Sequence, residues 1–161
     1  KNAFLDDFEI ISDVDSAVAW AGSLDSIDSD RIGIIGFCMG GRIAWLSAAS
    51  NKVFRAVVPY YGGNLWATRG SGTTSPYDLA SNIECPMLFH FGETDQNPSQ
   101  DDMRKLDDQL TKLGKPHQFY TYPNADHAFM DFAQPLRYNK QAADASWPRT
   151  VEFLTGYLKH T

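Results

Sequence analysis

A short apolar run over residues 32–37 constrains the fold most, because it stops at Cys38 inside a glycine-rich turn. Gly36 and Gly40 lie two residues on either side of the cysteine, and an apolar helical pattern follows over residues 40–50. A strand, a sharp turn and a helix in this order form a nucleophile elbow, here with Cys in place of the usual Ser. Such a turn is strained and needs small neighbours, so we expect both glycines to be required.

The helix after Cys38 favours reactive chemistry at the turn. Its first backbone N–H groups are free and its positive dipole end points at the cysteine, which stabilises a thiolate and later an oxyanion. The backbone N–H of Met39 is the predicted oxyanion donor. A glycine-rich turn with a buried, inert cysteine remains the alternative, since such a motif arises by chance in roughly one chain in twenty.

Strands and helices alternate along the rest of the chain. This alternation predicts an α/β fold with a doubly wound, mostly parallel sheet in a single domain over residues 1–161. Helices are predicted over residues 7–22, 40–50, 99–113 and 147–158, and strands over 31–37, 54–61, 86–91 and 117–122. Pro148 is taken as the start of the last helix. The fourth strand alternates between apolar and polar residues, so we place it at a sheet edge.

Three reactive residues follow predicted strands: Cys38, Asp95 and His127. Ligands bind beyond the carboxyl ends of the strands in such sheets, and the order nucleophile, acid, histidine is that of α/β-hydrolases. A single Asp or His in a loop is more often a turn or surface residue, so only the three residues together predict a catalytic site. Asp126 is a rival partner for His127, but adjacent loop side chains point apart, which favours Asp95.

Aromatic residues beside the second strand are candidates for substrate contact. Tyr60, Tyr61 and Trp66 would line the mouth of the site if loop 62–75 folds over it. The alternative is that they are packing residues. Arg42 could pair with an acid or bind a substrate anion, and a structural role is the favoured interpretation.

Four segments together resemble the dienelactone hydrolase (carboxymethylenebutenolidase) family, from about residue 8 to the C-terminus. They are residues 36–41, 58–63, 90–95 and 122–129. The resemblance implies a triad of Cys38, Asp95 and His127 that hydrolyses a small ester or lactone without a metal or organic cofactor.

The chain departs from the family pattern in two ways. It resembles only the C-terminal two-thirds of the usual domain, so we expect the N-terminal strands, with the second oxyanion donor, to be missing. The exposed apolar edge strand would then favour a homodimer. Asp131 also stands where the resemblance leads us to expect a carboxylate-binding arginine, a role for which Arg137 could compensate. Two other functions stay open: a non-catalytic module in assembly, active only with a partner chain, and a thiol redox sensor at Cys38.

Charge and cysteine content limit the classes of partner. The chain has 14 basic and 20 acidic residues, a net charge of −6, which argues against nucleic acid and anionic membrane surfaces. Its two cysteines form neither a disulfide framework nor a zinc motif. With no membrane-spanning run and no signal-peptide pattern, we expect a cytoplasmic protein with a small-molecule substrate.

Overall fold

Four parallel strands form one sheet in the computed structural model, which describes residues 5–159. Both ends of the predicted domain, 1–4 and 160–161, lie outside the described residues. The strands are β1 (Ile32–Phe37), β2 (Phe54–Tyr60), β3 (Met87–Gly92) and β4 (His117–Tyr122). Each strand pairs with the next one along the chain, in the order β1-β2-β3-β4. The predicted α/β fold with a parallel sheet is confirmed.

Helices cover both faces of the sheet, as an apolar parallel sheet requires. The helices are α1 (Asp7–Gly22), α2 (Met39–Ser50), α3 (Gln100–Lys112) and α4 (Lys140–Leu158), with a short 3-10 helix at Tyr77–Asn82. Residues of α2 and α3 form one buried core with the sheet, against which α1 packs. Residues of α4 form a second core on the other face. The described residues therefore form three layers, with the sheet between two layers of helices.

Local sequence signals explain where two of the helices begin. The side chain of Asp6 accepts a hydrogen bond of 2.8 Å from the backbone N–H of Phe8, which caps α1. Ser99 and Asp102 form a reciprocal capping box at the start of α3. The apolar pattern and the cap therefore agree for both helices, and both were predicted within one residue.

The last helix begins earlier than predicted. It starts at Lys140 rather than at Trp147, and Pro148 lies inside it. The side chain of Asn139 caps its true start by accepting a hydrogen bond of 3.0 Å from the N–H of Ala142. Proline is usual in a first helical turn, so the sequence favoured the wrong boundary.

The two edge strands differ in character. β4 forms one edge, as its alternating pattern predicted. β1 forms the other, and no strand of residues 5–159 pairs with its outer side. Ile32 and Ile34 of β1 are partly buried beside an open cavity that α1 also lines. Dimerisation through this edge stays a prediction.

No helix within residues 5–159 has the length and apolar character needed to cross a membrane.

Candidate active site

Cys38 occupies a strained turn between β1 and α2. Its backbone has φ 56° and ψ −119°, and its N–H donates a 3.0 Å hydrogen bond to the carbonyl of Tyr60 on β2. A Cβ atom on Gly36 would lie 1.9 Å from the carbonyl oxygen of Gly40, so only glycine fits at position 36. The first predicted glycine requirement is confirmed, and the strand and the helix touch backbone to backbone.

Gly40 does not have the predicted role. A Cβ atom there would meet nothing within 4 Å, so the expectation that its side must be small is wrong. The second tight position is Gly41, where a Cβ would lie 2.6 Å from the carbonyl oxygen of Tyr60. The first turn of α2 directs position 40 outward and position 41 against β2. The consecutive glycines at positions 40 and 41 indicated a close backbone contact, but spacing from Cys38 pointed to Gly40 rather than Gly41.

The structure brings Cys38, Asp95 and His127 together. His127 Nε2 lies 3.0 Å from Cys38 Sγ, and His127 Nδ1 lies 2.9 Å from Asp95 Oδ2. Asp95 is 2% exposed, and its other oxygen accepts a 2.8 Å hydrogen bond from the backbone N–H of Asn97. Asp126 instead accepts a bond of 2.6 Å from the backbone N–H of His127. The rival carboxylate is therefore occupied by the loop backbone.

The hydrogen bond that His127 donates to Asp95 is the main influence on the pKa of the histidine. This bond and, to a smaller extent, the neighbouring Cys38 raise the pKa of His127 to about 9, against the lowering effect of burial. At neutral pH the ring then carries two protons, one for each of its partners. This is the state in which a histidine can hold a carboxylate and a sulfur atom at once.

Met39 is the first residue of α2, so its backbone N–H has no acceptor inside the helix. It follows Cys38 directly, where an oxyanion donor would be placed. Its side chain contacts Arg69, whose Nη1 lies 3.2 Å from Met39 Sδ.

An apolar cavity of about 500 Å³ opens beside Cys38. Tyr61 forms part of its wall; the ring is buried, and burial raises the pKa of its hydroxyl above the usual range. The remaining lining residues are Phe37, Ala128, Met130, Asp131, Phe132 and Trp147. None of these except Asp131 was singled out from the sequence. Phe37 directly precedes Cys38, which was an available signal, whereas Trp147 is brought in only by the packing of α4.

Two predicted substrate contacts lie elsewhere. Tyr60 is completely buried, and its hydroxyl lies 2.6 Å from Thr150 Oγ1 of α4. Trp66 stacks on Tyr77, with ring centroids 5.0 Å apart, and does not line the cavity. Both side chains fill the packing role that was the alternative interpretation. Arg137 is exposed and lies outside the cavity lining, so this structure does not place it where it could compensate for Asp131.

A buried ion pair between Arg42 of α2 and Asp7 of α1 lies next to the turn that holds Cys38. Arg42 Nη1 and Nη2 lie 2.5 and 2.9 Å from the two carboxylate oxygens of Asp7, and Nη2 also donates to the carbonyl of Ala67. Burial raises the pKa of Asp7, but the hydrogen bonds from Arg42 and the backbone of Arg69 outweigh it and lower the pKa overall. The structural role favoured for Arg42 is confirmed: it joins α1, α2 and loop 62–75.

A second buried group lies beneath the site. His90 Nδ1 is 2.8 Å from the hydroxyl of Tyr122, and Nε2 is 3.0 Å from Thr150 Oγ1. Burial lowers the pKa of His90 to about 3, with Arg149 adding to the effect. His90 is therefore neutral and joins β3 to α4.

Within residues 5–159, no group of three or more His, Cys, Asp and Glu side chains is arranged to hold a metal ion.

Comparison with known proteins identifies the relatives of this chain. The family model described as "Dienelactone hydrolase family" matches residues 3–158. A protein of Methylorubrum extorquens named "Putative carboxymethylenebutenolidase" is 34% identical over 151 residues, which are 94% of this chain and 52% of that protein. A Salmonella typhimurium protein of the same name is 32% identical over 94% of this chain and 55% of its own length. The chain thus spans about half the length of these curated relatives.

Solved structures show the same fold. A crystal structure from Klebsiella pneumoniae, titled as a "Putative Dienelactone Hydrolase", aligns with a TM-score of 0.88 at 30% identity, covering 96% of this chain and 63% of that one. The dienelactone hydrolase-like promiscuous phosphotriesterase P91 from metagenomic libraries aligns with a TM-score of 0.79 at 20% identity. It covers 93% of this chain and 62% of that one, and at this identity shows the fold alone.

Proposed function

The chain belongs to the dienelactone hydrolase family, and on that premise we propose that it hydrolyses small esters or lactones through a Cys38–His127–Asp95 triad. One observation carries the proposal: the two nitrogens of His127 lie 3.0 Å from the cysteine sulfur and 2.9 Å from the aspartate oxygen. A nucleophile, a base and a group that orients the base are the three parts of such a site.

The first half of the reaction acylates the cysteine. Because His127 already carries both ring protons, Cys38 attacks as the thiolate beside the imidazolium, and its sulfur forms a C–S bond with the carbonyl carbon of the substrate. The negative oxygen of the tetrahedral intermediate is stabilised by the N–H of Met39. Each such donor typically contributes about 3 kcal/mol to the transition state. As the C–O bond breaks, the imidazolium of His127 protonates the leaving alcohol oxygen.

The second half releases the acid. His127, now neutral, takes a proton from a water molecule, whose oxygen attacks the thioester carbonyl. The C–S bond breaks, and the Cys38 thiolate is restored beside the imidazolium. Asp95 keeps the Nδ1 proton of His127 in place in both halves, so that only Nε2 exchanges protons with substrate and water. Within residues 5–159, the N–H of Met39 is the one oxyanion donor that we assign.

Three further proposals accompany the reaction. We infer that residues 1–161 act as one partial α/β-hydrolase domain, that copies of the chain can associate through the open edge of β1, and that the protein is cytoplasmic. Size-exclusion chromatography with light scattering tests the second. A monomer at all concentrations would contradict it.

The direct test is hydrolysis of p-nitrophenyl butyrate by the chain and by Cys38→Ala. We expect the substitution to remove measurable turnover, while Cys85→Ala, which removes the buried cysteine just before β3, retains it. Mass spectrometry after rapid quenching should show the butyryl group on Cys38. Equal rates for the chain and Cys38→Ala would overturn the proposal. An inactive chain that gains activity with a partner chain would favour the assembly module instead.

A further inference from the structure

The cavity beside Cys38 has an unusual lining for a site that would bind a carboxylate. Its walls include the side chains of four aromatic residues and a methionine: Phe37, Tyr61, Phe132, Trp147 and Met130. Phe132 is 83% exposed and Trp147 is 48% exposed, so the aromatic surface is open to an incoming molecule. Such apolar area gains free energy when a substrate covers it.

Among residues 5–159, Asp131 is the only charged one in the lining. One of its oxygens accepts a 3.1 Å hydrogen bond from the backbone N–H of Ala133, which holds the carboxylate in a fixed turn at the cavity wall. The carboxylate shares the cavity wall with Tyr61, whose hydroxyl pKa is raised mainly by burial and only to a smaller extent by the charge of Asp131. A second negative charge in the cavity would therefore be repelled.

None of the arginines described above lines the cavity, so none places a positive charge in its wall beside Asp131. Arg42 is committed to the buried carboxylate of Asp7. Arg69 contacts Met39 Sδ and does not line the cavity. Arg137 is exposed and does not line it either.

We propose that this cavity binds the acyl part of the substrate, that it selects neutral, apolar acyl groups, and that Asp131 excludes acyl groups bearing a carboxylate. The inference rests on the proposed function, because Cys38 in the cavity wall is what makes an acyl group the occupant. Trp147 and Phe132 supply the apolar contacts, and Asp131 supplies the discrimination by charge.

The charge test uses two esters of similar size, p-nitrophenyl butyrate and mono-p-nitrophenyl succinate, which differ in a terminal carboxylate. The chain should prefer the butyrate in kcat/KM. Asp131→Asn keeps an acceptor for the Ala133 N–H, and should raise the relative kcat/KM for the succinate by about threefold to tenfold, as expected for one partly screened charge. Asp108→Asn is the matched control, because it removes the same charge from an exposed position on α3. The proposal would be overturned if the relative kcat/KM for the succinate changed equally in both variants, or did not change in Asp131→Asn.

The size test varies the acyl chain from acetate to hexanoate. We expect kcat/KM to rise by about twofold to fourfold per methylene, the scale of burying a CH₂ group. Trp147→Ala should flatten this rise. A chain-length profile that is flat in the unmodified chain would contradict an apolar acyl site.

A third measurement separates this proposal from the hydrolase proposal, because it needs no turnover. Cys38 is alkylated by iodoacetamide or by iodoacetate, and the modified peptide is quantified by mass spectrometry. Asp131→Asn should raise the iodoacetate-to-iodoacetamide rate ratio by about threefold to tenfold, and Asp108→Asn should leave it unchanged. If no ester is hydrolysed but this ratio shifts as described, the hydrolase proposal fails and the charge selection stands. An unshifted ratio overturns the charge selection.

Discussion

The two sides of the candidate site are held by different kinds of force. On the acid–base side, Asp95 and His127, polar side chains are fixed by burial and hydrogen bonds. On the nucleophile side, residues 36–42, Cys38 is exposed, and its position depends on a backbone turn with φ 56° that close-packed glycines enforce.

The difference predicts how each side fails. A polar substitution on the acid–base side removes charge and proton transfer but leaves the packing almost intact, so activity falls before stability does. A substitution on the nucleophile side acts through steric overlap or an unpaired buried charge, so stability falls first. Each of the following experiments can break or refine this distinction.

Asp95→Asn should have the largest effect. An amide cannot hold the catalytic tautomer, so we expect kcat/KM to fall by about 10³-fold to 10⁴-fold, with little change in the free energy of unfolding. NMR titration should show the pKa of His127 moving from about 9 toward its ordinary value of 6.5. Asp126→Asn keeps an acceptor for the His127 backbone and serves as the control. Equal losses in the two variants would mean that Asp95 does not orient the histidine.

Arg42→Met tests the buried ion pair behind the elbow. It leaves Asp7 buried without its guanidinium, and we expect the free energy of unfolding to fall by about 3–5 kcal/mol. The double variant Asp7→Leu with Arg42→Met removes both charges and should recover most of that loss. Urea denaturation gives all three values. If the double variant lost at least as much unfolding free energy as Arg42→Met alone, the two charges would not depend on each other.

Gly36→Ala and Gly40→Ala form a matched pair in the elbow itself. A Cβ at position 36 would overlap the carbonyl of Gly40, so we expect a loss of about 2–3 kcal/mol in unfolding free energy. A Cβ at position 40 meets open space, and alanine is the better helix former, so that variant should be neutral or more stable by up to about 1 kcal/mol. Similar losses in both would contradict the steric account of the turn.

The pH dependence of stability should show the smallest effect. The pKa of His127 is raised from 6.5 to about 9 on folding, so its stabilising contribution is complete below pH 6.5 and disappears as the pH rises through about 9. The side chain is 27% exposed, so we expect a loss on the order of 1 kcal/mol after screening by solvent. Urea denaturation between pH 6 and pH 10 measures it. Asp95→Asn should show a flatter profile, and an identical slope would contradict the assignment.

The sequence predicted the parts of the molecule that depend on local patterns. Apolar runs and caps located all four strands and the first three helices within about one residue, and the strand ends led to Cys38, Asp95 and His127. Local sequence patterns gave wrong or missing element boundaries where packing against a distant part of the chain decides the structure. Packing against the sheet overrode Pro148 in α4, and the 3-10 helix at Tyr77–Asn82 is too short to show a period.

The details of the site also depended on tertiary packing. Asp7 is separated from Arg42 by 35 positions, and neither residue indicates its partner. The rotation of α2 about its axis decides whether position 40 or 41 faces β2. Spacing from Cys38 alone therefore predicted the wrong glycine. Trp66 would have lined the site if loop 62–75 folded over it, but its ring stacks on the nearby Tyr77 instead.

The consecutive strand order has a consequence for protein synthesis. Because each strand pairs with its successor, the sheet can form in the order in which the chain leaves the ribosome. The nucleophile is then made 89 positions before the histidine, and the two meet only after β4 has joined the sheet. An unfinished chain therefore carries a cysteine without its base. Pairing of the thiol with its base therefore waits until β4, the last strand of the described sheet, has been made.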